Sequence, residues 1–375
     1  FMVHVESLEL SNDCLNDCLS CEGTVFLDTS LSQKDQRGIS VLGVDPVFRF
    51  VGRKGGVDVF SEISKEWTFE EGNLYEVIEN YVVSTNDSVF SWSSFHTGFM
   101  GMFSYESSSV FCDFSFLNSF NTYPTVLGGI FDRYLLFNHR ENKTYFVSSD
   151  LYQRECVDFE SCFLRLVPNN QSRFALKGKP VIAEYDDYRA NLTKLLEYIY
   201  QGDIYQANLA HSYSVEHSGS LVDVYNQLRK ISPAPYSSFL NVEGYHVLSS
   251  SPELFFSKQG KVITTCPIKG TISRDSDQMV DEQNKCFLKS SEKDIAELLM
   301  IVDLERNDLN KICKINSVCV PQLRYIDSFE HVHHGVSLIK GDLQDQTSFS
   351  DIMRALFPGG SITGAPKLRA MEFQK

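Results

Sequence analysis

Two contrasting parts of the sequence predict a fold that mixes β-sheet with α-helix. The first 150 residues contain short apolar runs, such as GISVLGVDPVFRFVG, separated by glycine, aspartate, asparagine and serine. This pattern is typical of strands joined by turns. From Tyr185 onward, two long segments place their apolar residues three and four positions apart, as helices with one buried face do.

The same change of pattern predicts the domain organisation. Residues 1–150 form a sheet-rich N-terminal region, and residues 183–375 form a second domain. Residues 151–182, which include VPNNQSR, form a linker or irregular segment between them. A chain of 375 residues is long enough for one large core or for two domains.

Charge and hydropathy exclude several classes of partner. The net charge of −15 argues against general binding to nucleic acid or to an anionic membrane, because both require a basic surface. No apolar run approaches the length of a membrane span, and no signal sequence is visible, so we expect a cytoplasmic protein. The first residue is Phe1, so we expect the natural start to lie elsewhere.

The segment from Tyr185 predicts a helix followed by a strand. The helix has an aliphatic stripe and stops at Gly202, a residue common at helix ends. The stripe consists of Leu192, Leu195, Leu196 and Ile199. The following segment, DIYQANLAHSYSV, is predicted as a strand that projects Gln206 and Asn208 from the same face. If that face is buried, these amides need polar partners, which a polar ligand can supply.

The segment EKDIAELLMIVDLERND predicts a second helix, which is apolar around nearly its whole circumference. A helix of this kind is buried. Glu297 lies within it, and an isolated buried carboxylate costs several kcal/mol unless it is paired, protonated or bound to a metal. Both a salt bridge and a functional role remain open for Glu297.

The segment KVITTCPIKGT predicts a strand that runs into Pro267 and Gly270. Lys269 is therefore expected at the end of this strand, where side chains of a scaffold commonly reach into a cleft. Locally, two interpretations are open: a solvated lysine or an amine placed to react.

The segment FEHVHHGVSLIKG is predicted to be extended. Strand alternation then places His331 and His333 on one face, and His334 with Glu330 on the other. A metal site made from all three histidines is therefore geometrically awkward. His334 is better suited to act singly, as an acid–base or hydrogen-bonding group.

Cys14, Cys18 and Cys21 are spaced like the thiolates of an iron–sulfur cluster. Such motifs usually place an aromatic residue before the last cysteine, where this chain has Ser20, and no glycine-rich cofactor loop follows. Incidental thiols are therefore the favoured interpretation.

The segment FPGGSITGAPKLRAME predicts a glycine-rich turn that enters a helix with Pro366 at its first position. Free backbone N–H groups at such a turn suit an anion, and Lys367 with Arg369 favours a carboxylate. The segment is not a P-loop, because Ala365 and Pro366 follow the glycine where that motif needs lysine and then serine or threonine. An ordinary turn before a helix is equally compatible with the pattern.

Several segments between residues 185 and 375 together resemble one family. They are GDIYQANL, SSSPELFF, TCPIKGT, EKDIAELLMIVDLERND, HVHHGVS and FPGGSITGAPKLRAME. In this order they resemble the chorismate-utilising enzymes, and within them component I of 4-amino-4-deoxychorismate synthase. The N-terminal region is similar more loosely, through VLGVDP and GFMGMFSYES.

The resemblance implies an α+β fold of the anthranilate and aminodeoxychorismate synthase component I type, with two packed β-sheets flanked by helices. It implies amination of chorismate with ammonia in para-aminobenzoate and folate biosynthesis. In this family a lysine at position 269 distinguishes the aminating branch, and Gln206 stands where isochorismate-forming enzymes have a lysine. Anthranilate synthase component I and a non-catalytic chorismate-binding relic remain alternatives.

The resemblance also implies roles for single residues. Lys269 is the nucleophile, Glu253 is the general acid, and His334 completes the catalytic group. Glu297 holds Mg²⁺ against the substrate carboxylate. The implied substrate-binding residues are Gln206, Thr271, Gly360, Ser361, Thr363, Gly364 and Lys367.

Two further expectations concern what this chain lacks. No cysteine lies in a glycine-flanked nucleophile turn, so ammonia is expected from a separate glutamine amidotransferase subunit or from solution. Chains of the family continue past GAPKLRAME into segments that supply another metal-binding glutamate, a tyrosine and an arginine. The sequence ends at Lys375, so we expect either a fragment or a degenerate member.

Overall fold

The computed structural model describes residues 2–30, 38–83, 97–111, 123–166, 168, 172–182 and 185–373. Its strands are β1 (Val3–Leu8), β2 (Thr24–Asp28), β3 (Ile39–Gly43), β4 (Phe48–Arg53), β5 (Gly56–Ser61), β6 (Glu66–Glu71), β7 (Gly98–Phe103), β8 (Val126–Phe131), β9 (Arg133–Asn138), β10 (Lys143–Ser149), β11 (Ala175–Ile182), β12 (Gln206–Ala207), β13 (Tyr213–Ser218), β14 (Ser237–Val242), β15 (Tyr245–Ser249), β16 (Leu254–Gln259), β17 (Val262–Cys266), β18 (Ile268–Ser273), β19 (Cys319–Ser328), β20 (Val332–Asp342) and β21 (Gly364–Ala365). Its helices are α1 (Asn12–Ser20), α2 (Leu74–Tyr81), α3 (Phe159–Phe163), α4 (Tyr185–Gln201), α5 (Leu221–Ile231), α6 (Gln278–Ser290), α7 (Glu292–Asn310), α8 (Phe349–Leu356) and α9 (Lys367–Phe373), with 3-10 turns at Tyr105–Val110 and Gly360–Ile362.

Contacts divide the described chain into two compact units, each built from more than one stretch. The described residues of the first unit fall within 1–110, 120–175 and 218–252, and those of the second within 111–119, 176–217 and 253–375. The predicted segmentation treats each domain as one continuous stretch, whereas residues 218–252 belong to the first unit. The reason is strand pairing, because β14 pairs with β2 and places Phe239 opposite Phe26.

Two antiparallel sheets form the described part of the first unit. One has the strand order β1-β10-β9-β3-β2-β14-β15, and the other β6-β5-β4-β8-β7. Val25 and Leu136 of the first sheet share a core with Met100 and Leu127 of the second, so the two sheets pack face to face. Alternate residues of the seven-stranded sheet, such as Phe26, pack instead against α1, α3 and α5. The predicted α+β class, with packed sheets flanked by helices, is confirmed.

Part of the segment 151–182 belongs to this core. Cys162 of α3 is completely buried, and the ring of Phe159 packs 5.5 Å from that of Phe146. Residues 167 and 169–171 of the predicted loop lie outside the described residues.

The clustered thiols at the N-terminus are also core residues. Cys18 is completely buried and Cys21 is 2% exposed. Burial raises the pKa of Cys21 to about 11 and that of Cys18 further still. Within the described residues, no three cysteine, histidine or acidic side chains are grouped as metal ligands. Cys18 therefore packs in the core of the first unit, and the interpretation as incidental thiols stays a prediction.

A buried carboxylate ties β2 to α5. The side chain of Asp28 is completely buried and accepts hydrogen bonds from Ser40 Oγ at 2.9 Å and Tyr225 Oη at 3.0 Å. Arg229 donates to the same carboxylate from Nε at 2.6 Å. The guanidinium thus compensates a charge that water does not reach.

The second unit is built on an antiparallel sheet. Among its described strands the order is β16-β17-β20-β18, and β19 also pairs with β20. Ile263 and Ile339 of this sheet pack against Leu298 and Val302 of α7 and Ile352 of α8. Two pairs of short strands, β11 with β13 and β12 with β21, complete the unit.

The predicted helix at Tyr185 is confirmed, because α4 ends one residue before Gly202, whose φ is +82°. Within its aliphatic stripe, Leu195 is buried, whereas Leu196 is 55% exposed. The long strand predicted after it is wrong, because only Gln206–Ala207 and Tyr213–Ser218 pair as strands there. Those pairings depend on β21 and β11, which local alternation does not reveal.

The second predicted helix is confirmed as α7, but its burial on all sides is wrong. Leu298, Ile301 and Val302 are buried, whereas Leu299 is 43% exposed. None of the helices in the described part of the chain combines the length and apolar character that a membrane crossing requires.

We predict that Arg229→Leu destabilises the protein by about 3–5 kcal/mol, because the buried Asp28 carboxylate then lacks its cation. Arg53→Leu is the matched control, since Arg53 is 68% exposed beside Asp58, and we expect a loss below about 1 kcal/mol. Urea unfolding measures both changes. Equal losses in the two variants would contradict a special role for the Asp28 ion pair.

Candidate active site

Glu253 lies between two backbone segments of the second unit. One carboxylate oxygen accepts a hydrogen bond from the N–H of Ile268 at 3.0 Å, and the other accepts from Ser361 Oγ at 3.1 Å. These donors come from β18 and from the 3-10 turn of the glycine-rich loop. The carboxyl group therefore connects the lysine strand to the loop.

Lys269 reaches the same loop residue. Its Nζ donates to the carbonyl oxygen of Ser361 at 3.1 Å. Lys269 is the second residue of β18, not the end of β17 as predicted. The pairing of β18 with β20 shifts between Ile268 and Thr271, and Gly270 has a φ of +83°. Such an irregularity redirects side chains, so the amine points to the loop instead of continuing the alternation of the strand.

The protonation state of Glu253 is set mainly by burial. Burial raises the pKa of Glu253, while the hydrogen bonds from Ile268 and Ser361 and the positive charge of Lys269 oppose the increase. The net effect is a pKa above the ordinary value, so this carboxyl group keeps its proton to a higher pH than a solvated glutamate. This property suits a proton donor.

His334 and Thr271 form a hydrogen-bonded pair near Lys269. His334 is 8% exposed, and its Nδ1 lies 2.9 Å from Thr271 Oγ1. Burial lowers the pKa of His334, so the imidazole is neutral at pH 7. His333 contacts Ser328 and Asp281 instead. Strand β20 begins at Val332, so His333 and His334 alternate as predicted, whereas Glu330 and His331 precede the strand.

Gln206 lies beside the glycine-rich loop. Strand β12 places Gln206 opposite Ala365, and the N–H of Asn208 donates to the carbonyl of Thr363 at 2.9 Å. Gln206 Oε1 is buried and has no hydrogen-bond partner among the described residues. A buried amide oxygen needs a donor, and a ligand hydroxyl can provide one.

Close packing explains two of the glycines in this loop. A Cβ on Gly364 would lie 2.3 Å from the carbonyl oxygen of Gln206, and one on Gly360 would lie 2.9 Å from Leu304 Cδ2. The contact at Gly364 is with backbone and requires glycine there, whereas a side chain at Gly360 would require the end of the Leu304 side chain to move. These contacts hold the intervening residue Ser361 against Glu253.

Two predicted substrate-binding side chains have other partners. Thr363 is 1% exposed and donates its hydroxyl to Gly359 within the loop at 3.1 Å. Lys367, which opens α9 one residue later than predicted, bonds to Asp308 Oδ2 at 2.5 Å and to the carbonyl of Leu356 at 2.9 Å. Both polar groups thus have partners inside the protein, and their substrate contacts stay predictions.

Glu297 lies in the second turn of α7, three residues after Asp294, whose side chain packs against Gly270. Its side chain is 41% exposed and lies 3.8 Å from the solvated Lys293. An exposed ion pair of this kind contributes little to the stability of the fold.

A single accessible carboxylate fits one mode of Mg²⁺ binding. Mg²⁺ commonly takes one or two protein carboxylates and completes its coordination with substrate oxygens and water. The described residues form no group of three metal-ligating side chains. Glu297 therefore fits a metal that is shared with a substrate and does not fit a closed protein site.

Two buried acids of α7, Glu305 and Asp308, lie at the site and were not predicted from the sequence. Glu305 bonds to Thr265 at 2.9 Å, and Asp308 bonds to Lys367. The signal was present in their spacing, because position 305 continues the buried series Leu298, Val302 and Leu309. An acid at a core position of a helix indicates a buried polar contact.

We predict that Lys269→Met raises the pKa of Glu253, because the variant removes a positive charge that favours the carboxylate. Lys258→Met, at an exposed position of β16, is the control and should leave this pKa unchanged. An NMR titration of carbon-labelled glutamate side chains measures both. An unaltered Glu253 titration in Lys269→Met would show that the two groups are not coupled.

Comparison with known proteins gives one family. The model of the chorismate binding enzyme family matches residues 32–374. Aminodeoxychorismate synthase component 1 of Bacillus subtilis (strain 168) is 31% identical over 349 residues, which cover 89% of this chain and 73% of that protein. Anthranilate synthase component 1 of Saccharolobus solfataricus is 36% identical over 247 residues, which cover 64% of this chain and 54% of that protein.

A solved structure agrees with this relationship. The crystal structure of anthranilate synthase component I from Streptococcus pneumoniae TIGR4 has a TM-score of 0.74 and 25% sequence identity. It covers 90% of this chain, which corresponds to 76% of that chain. The chain belongs to the chorismate binding enzyme family, among the relatives of the aminodeoxychorismate and anthranilate synthases.

Proposed function

We propose that the protein containing this chain aminates chorismate to 4-amino-4-deoxychorismate, a step toward para-aminobenzoate and folate. The observation that carries the proposal is the pairing of an amine and an acid at one residue, because Lys269 Nζ and the Glu253 carboxyl group both bond to Ser361. A nucleophile and a proton donor held together are what substitution of a hydroxyl requires.

The first step forms a covalent intermediate on Lys269. After the Lys269 ammonium loses one proton to solvent, the lone pair of neutral Nζ forms a C–N bond to the ring, the ring double bonds shift, and the C–O bond to the hydroxyl breaks. Glu253 gives its proton to the departing oxygen, so water leaves. The carboxylate that remains then accepts a proton from the new ammonium group on Lys269.

The second step releases the enzyme. Ammonia forms a C–N bond to the ring as the bond to Lys269 breaks, and the proton on Glu253 returns to Nζ. The ammonium now on the ring gives one proton to the Glu253 carboxylate, which restores both catalytic groups and balances the reaction. We propose that a separate glutamine amidotransferase supplies the ammonia, consistent with the designation of the matched relatives as component 1.

Other residues of the site orient the substrate in this proposal. The His334 and Thr271 pair and the unpartnered Gln206 oxygen supply polar contacts. We assign the backbone N–H groups at Gly360 and Gly364 to the substrate carboxylates. Glu297 holds Mg²⁺, which when bound neutralises charge on the substrate carboxylate.

Anthranilate formation is the second candidate, because a relative and a solved neighbour carry that name. Lys269 favours amination, since the family resemblance implies an alanine at this position in anthranilate synthases. A non-catalytic chorismate-binding protein is the third outcome, and it predicts binding without turnover.

We predict that Lys269→Ala lowers the rate of aminodeoxychorismate formation about a thousandfold, because it removes the covalent route. Lys258→Ala is the matched surface control and should keep the wild-type rate. The assay supplies chorismate, ammonia and Mg²⁺ and identifies products by chromatography. Mass spectrometry of enzyme trapped with chorismate should show an adduct on the Lys269 peptide. Anthranilate or isochorismate as the main product would overturn the proposed function.

We predict that Glu297→Gln weakens Mg²⁺ binding in the presence of chorismate at least tenfold, because it removes the carboxylate charge. Thermal stability should change little, since the contact with Lys293 is exposed. Glu292→Gln, an exposed acid in the first turn of the same helix, is the control. Isothermal titration calorimetry gives the metal affinity independently of turnover. Equal affinities in wild type and Glu297→Gln would exclude the ligand role.

A further inference from the structure

Glu305 occupies a buried position behind the residues of the proposed mechanism. It is 9% exposed, and its Oε2 lies 2.9 Å from Thr265 Oγ1. A Cβ on Gly360 would lie 3.3 Å from Glu305 Cγ, so the loop packs directly on this side chain. The steps proposed above do not use Glu305.

The hydrogen bonds of Thr265 determine the protonation of this carboxyl group. Thr265 Oγ1 lies 2.7 Å from the carbonyl oxygen of Phe255 and 2.9 Å from Glu305 Oε2. A hydroxyl has one hydrogen, and a carbonyl oxygen can only accept. The contact with Phe255 is the shorter of the two, and with the hydroxyl directed there the contact with Glu305 needs a proton on the carboxyl group.

The bond from Thr265 to Phe255 has a structural purpose. The pairing of β16 with β17 is regular at Leu254 opposite Cys266 and at Ser257 opposite Thr264, with a shift between them. Phe255 lies in this irregularity. The threonine side chain supplies a cross-strand bond to its carbonyl where the register is interrupted.

We infer that Glu305 is held as a neutral carboxylic acid and that its hydrogen bond to Thr265 positions the backbone segments carrying Glu253, Lys269 and Ser361. Phe255 lies two residues after Glu253, Thr265 lies four residues before Lys269, and Gly360 directly precedes Ser361. Glu305 contacts Thr265 and Gly360 and reaches Phe255 through Thr265. Its effect on catalysis rests on the proposed function, whereas its protonation state does not.

The charged groups around Glu305 agree with a neutral form. Burial raises its pKa to about 8, and the negative charges of Glu253 and Asp308 add to the increase. A hydrogen bond donated by Thr265 acts in the opposite direction, as does Lys367 of α9, whose ammonium is paired with Asp308. The Cys266 thiol of β17 also lies near, and burial raises its pKa to about 11, so it is uncharged. The contacts from α8 and from the loop are apolar or backbone.

The sign of the pH dependence follows from this shift. The folded protein binds the Glu305 proton more tightly than the unfolded chain does. The resulting contribution to stability is complete below the ordinary glutamate pKa and is lost as the pH rises toward 8. Above pH 8 one of the two hydrogen bonds at Thr265 loses its proton.

Three variants test the inference. Glu305→Gln keeps a donor for Thr265 without a titrating group, whereas Glu305→Leu has similar size and no donor. We expect Glu305→Leu to lower the kcat for chorismate consumption about tenfold at pH 7 with little change in KM. Glu305→Gln should restore most of that loss and remove the alkaline decline above pH 8. Asp303→Asn, at an 83% exposed acid on the same helix, should keep the wild-type pH profile.

Two measurements do not depend on turnover. The infrared difference spectrum between wild type and Glu305→Gln at pH 7 should contain the band of a protonated carboxyl group. This band should disappear above pH 9. The extent of acetylation of Lys269 relative to that of Lys258, measured by mass spectrometry, should change above pH 8 in wild type. It should not change in Glu305→Gln.

The outcomes separate this inference from the proposed function. A product other than aminodeoxychorismate overturns the proposed function and leaves the Glu305 results intact, because chorismate consumption, infrared spectra and acetylation do not depend on product identity. Absence of the protonated band, or equal behaviour of Glu305→Gln and Glu305→Leu, overturns the inference for Glu305.

Discussion

The close packing of the loop 359–364 against α7 and β12 is the constraint on which the site depends. Gly360 lies against Leu304 and Glu305, and Gly364 lies against the backbone of Gln206. A side chain at Gly364 would collide with backbone atoms, and one at Gly360 would require the end of the Leu304 side chain to move. Ser361, held between these contacts, presents its hydroxyl to Glu253 and its carbonyl to Lys269. The two groups of the proposed chemistry are thus placed through one loop residue.

Burial gives the acids of this region different electrostatic states. Asp308 is 2% exposed, but Lys367 and Lys311 both bond to it, so its negative charge is compensated. Glu305 has no cation bonded to it among the described contacts and meets a threonine hydroxyl, so it is neutral. Glu253 lies between these cases, with a raised pKa and a lysine nearby. The partner that each helix or loop supplies decides whether a buried acid is charged.

The first unit shows the same principle in its core. Its two sheets bury aliphatic residues between them, and the outer face of the larger sheet is covered by helices. The fully buried Asp28 is tolerated there because α5 brings Arg229 and Tyr225 to it. Residues 218–252 therefore belong with the N-terminal sheet, although they lie far from it in sequence.

Local patterns in the sequence determined those structural features that depend only on residues close together in the chain. The periodicity of apolar residues predicted α4 and α7, Gly202 marked a helix end, and strand alternation separated His333 from His334. The ordered motifs also identified the family. Each of these features follows from the geometry of a single helix or strand, which residues a few positions apart already specify.

Only the tertiary structure decided which side chains meet. Glu253 and Ser361 are 108 residues apart, and Lys269 and Ser361 are 92 apart. The sequence does not reveal that Lys367 pairs with Asp308. Nor does it reveal that Glu305 meets Thr265, which lies on a distant strand. The sequence determined that polar groups had to be satisfied, whereas the fold selected their partners, because hydrogen bonds and ion pairs form between whatever atoms the packing of distant segments brings together.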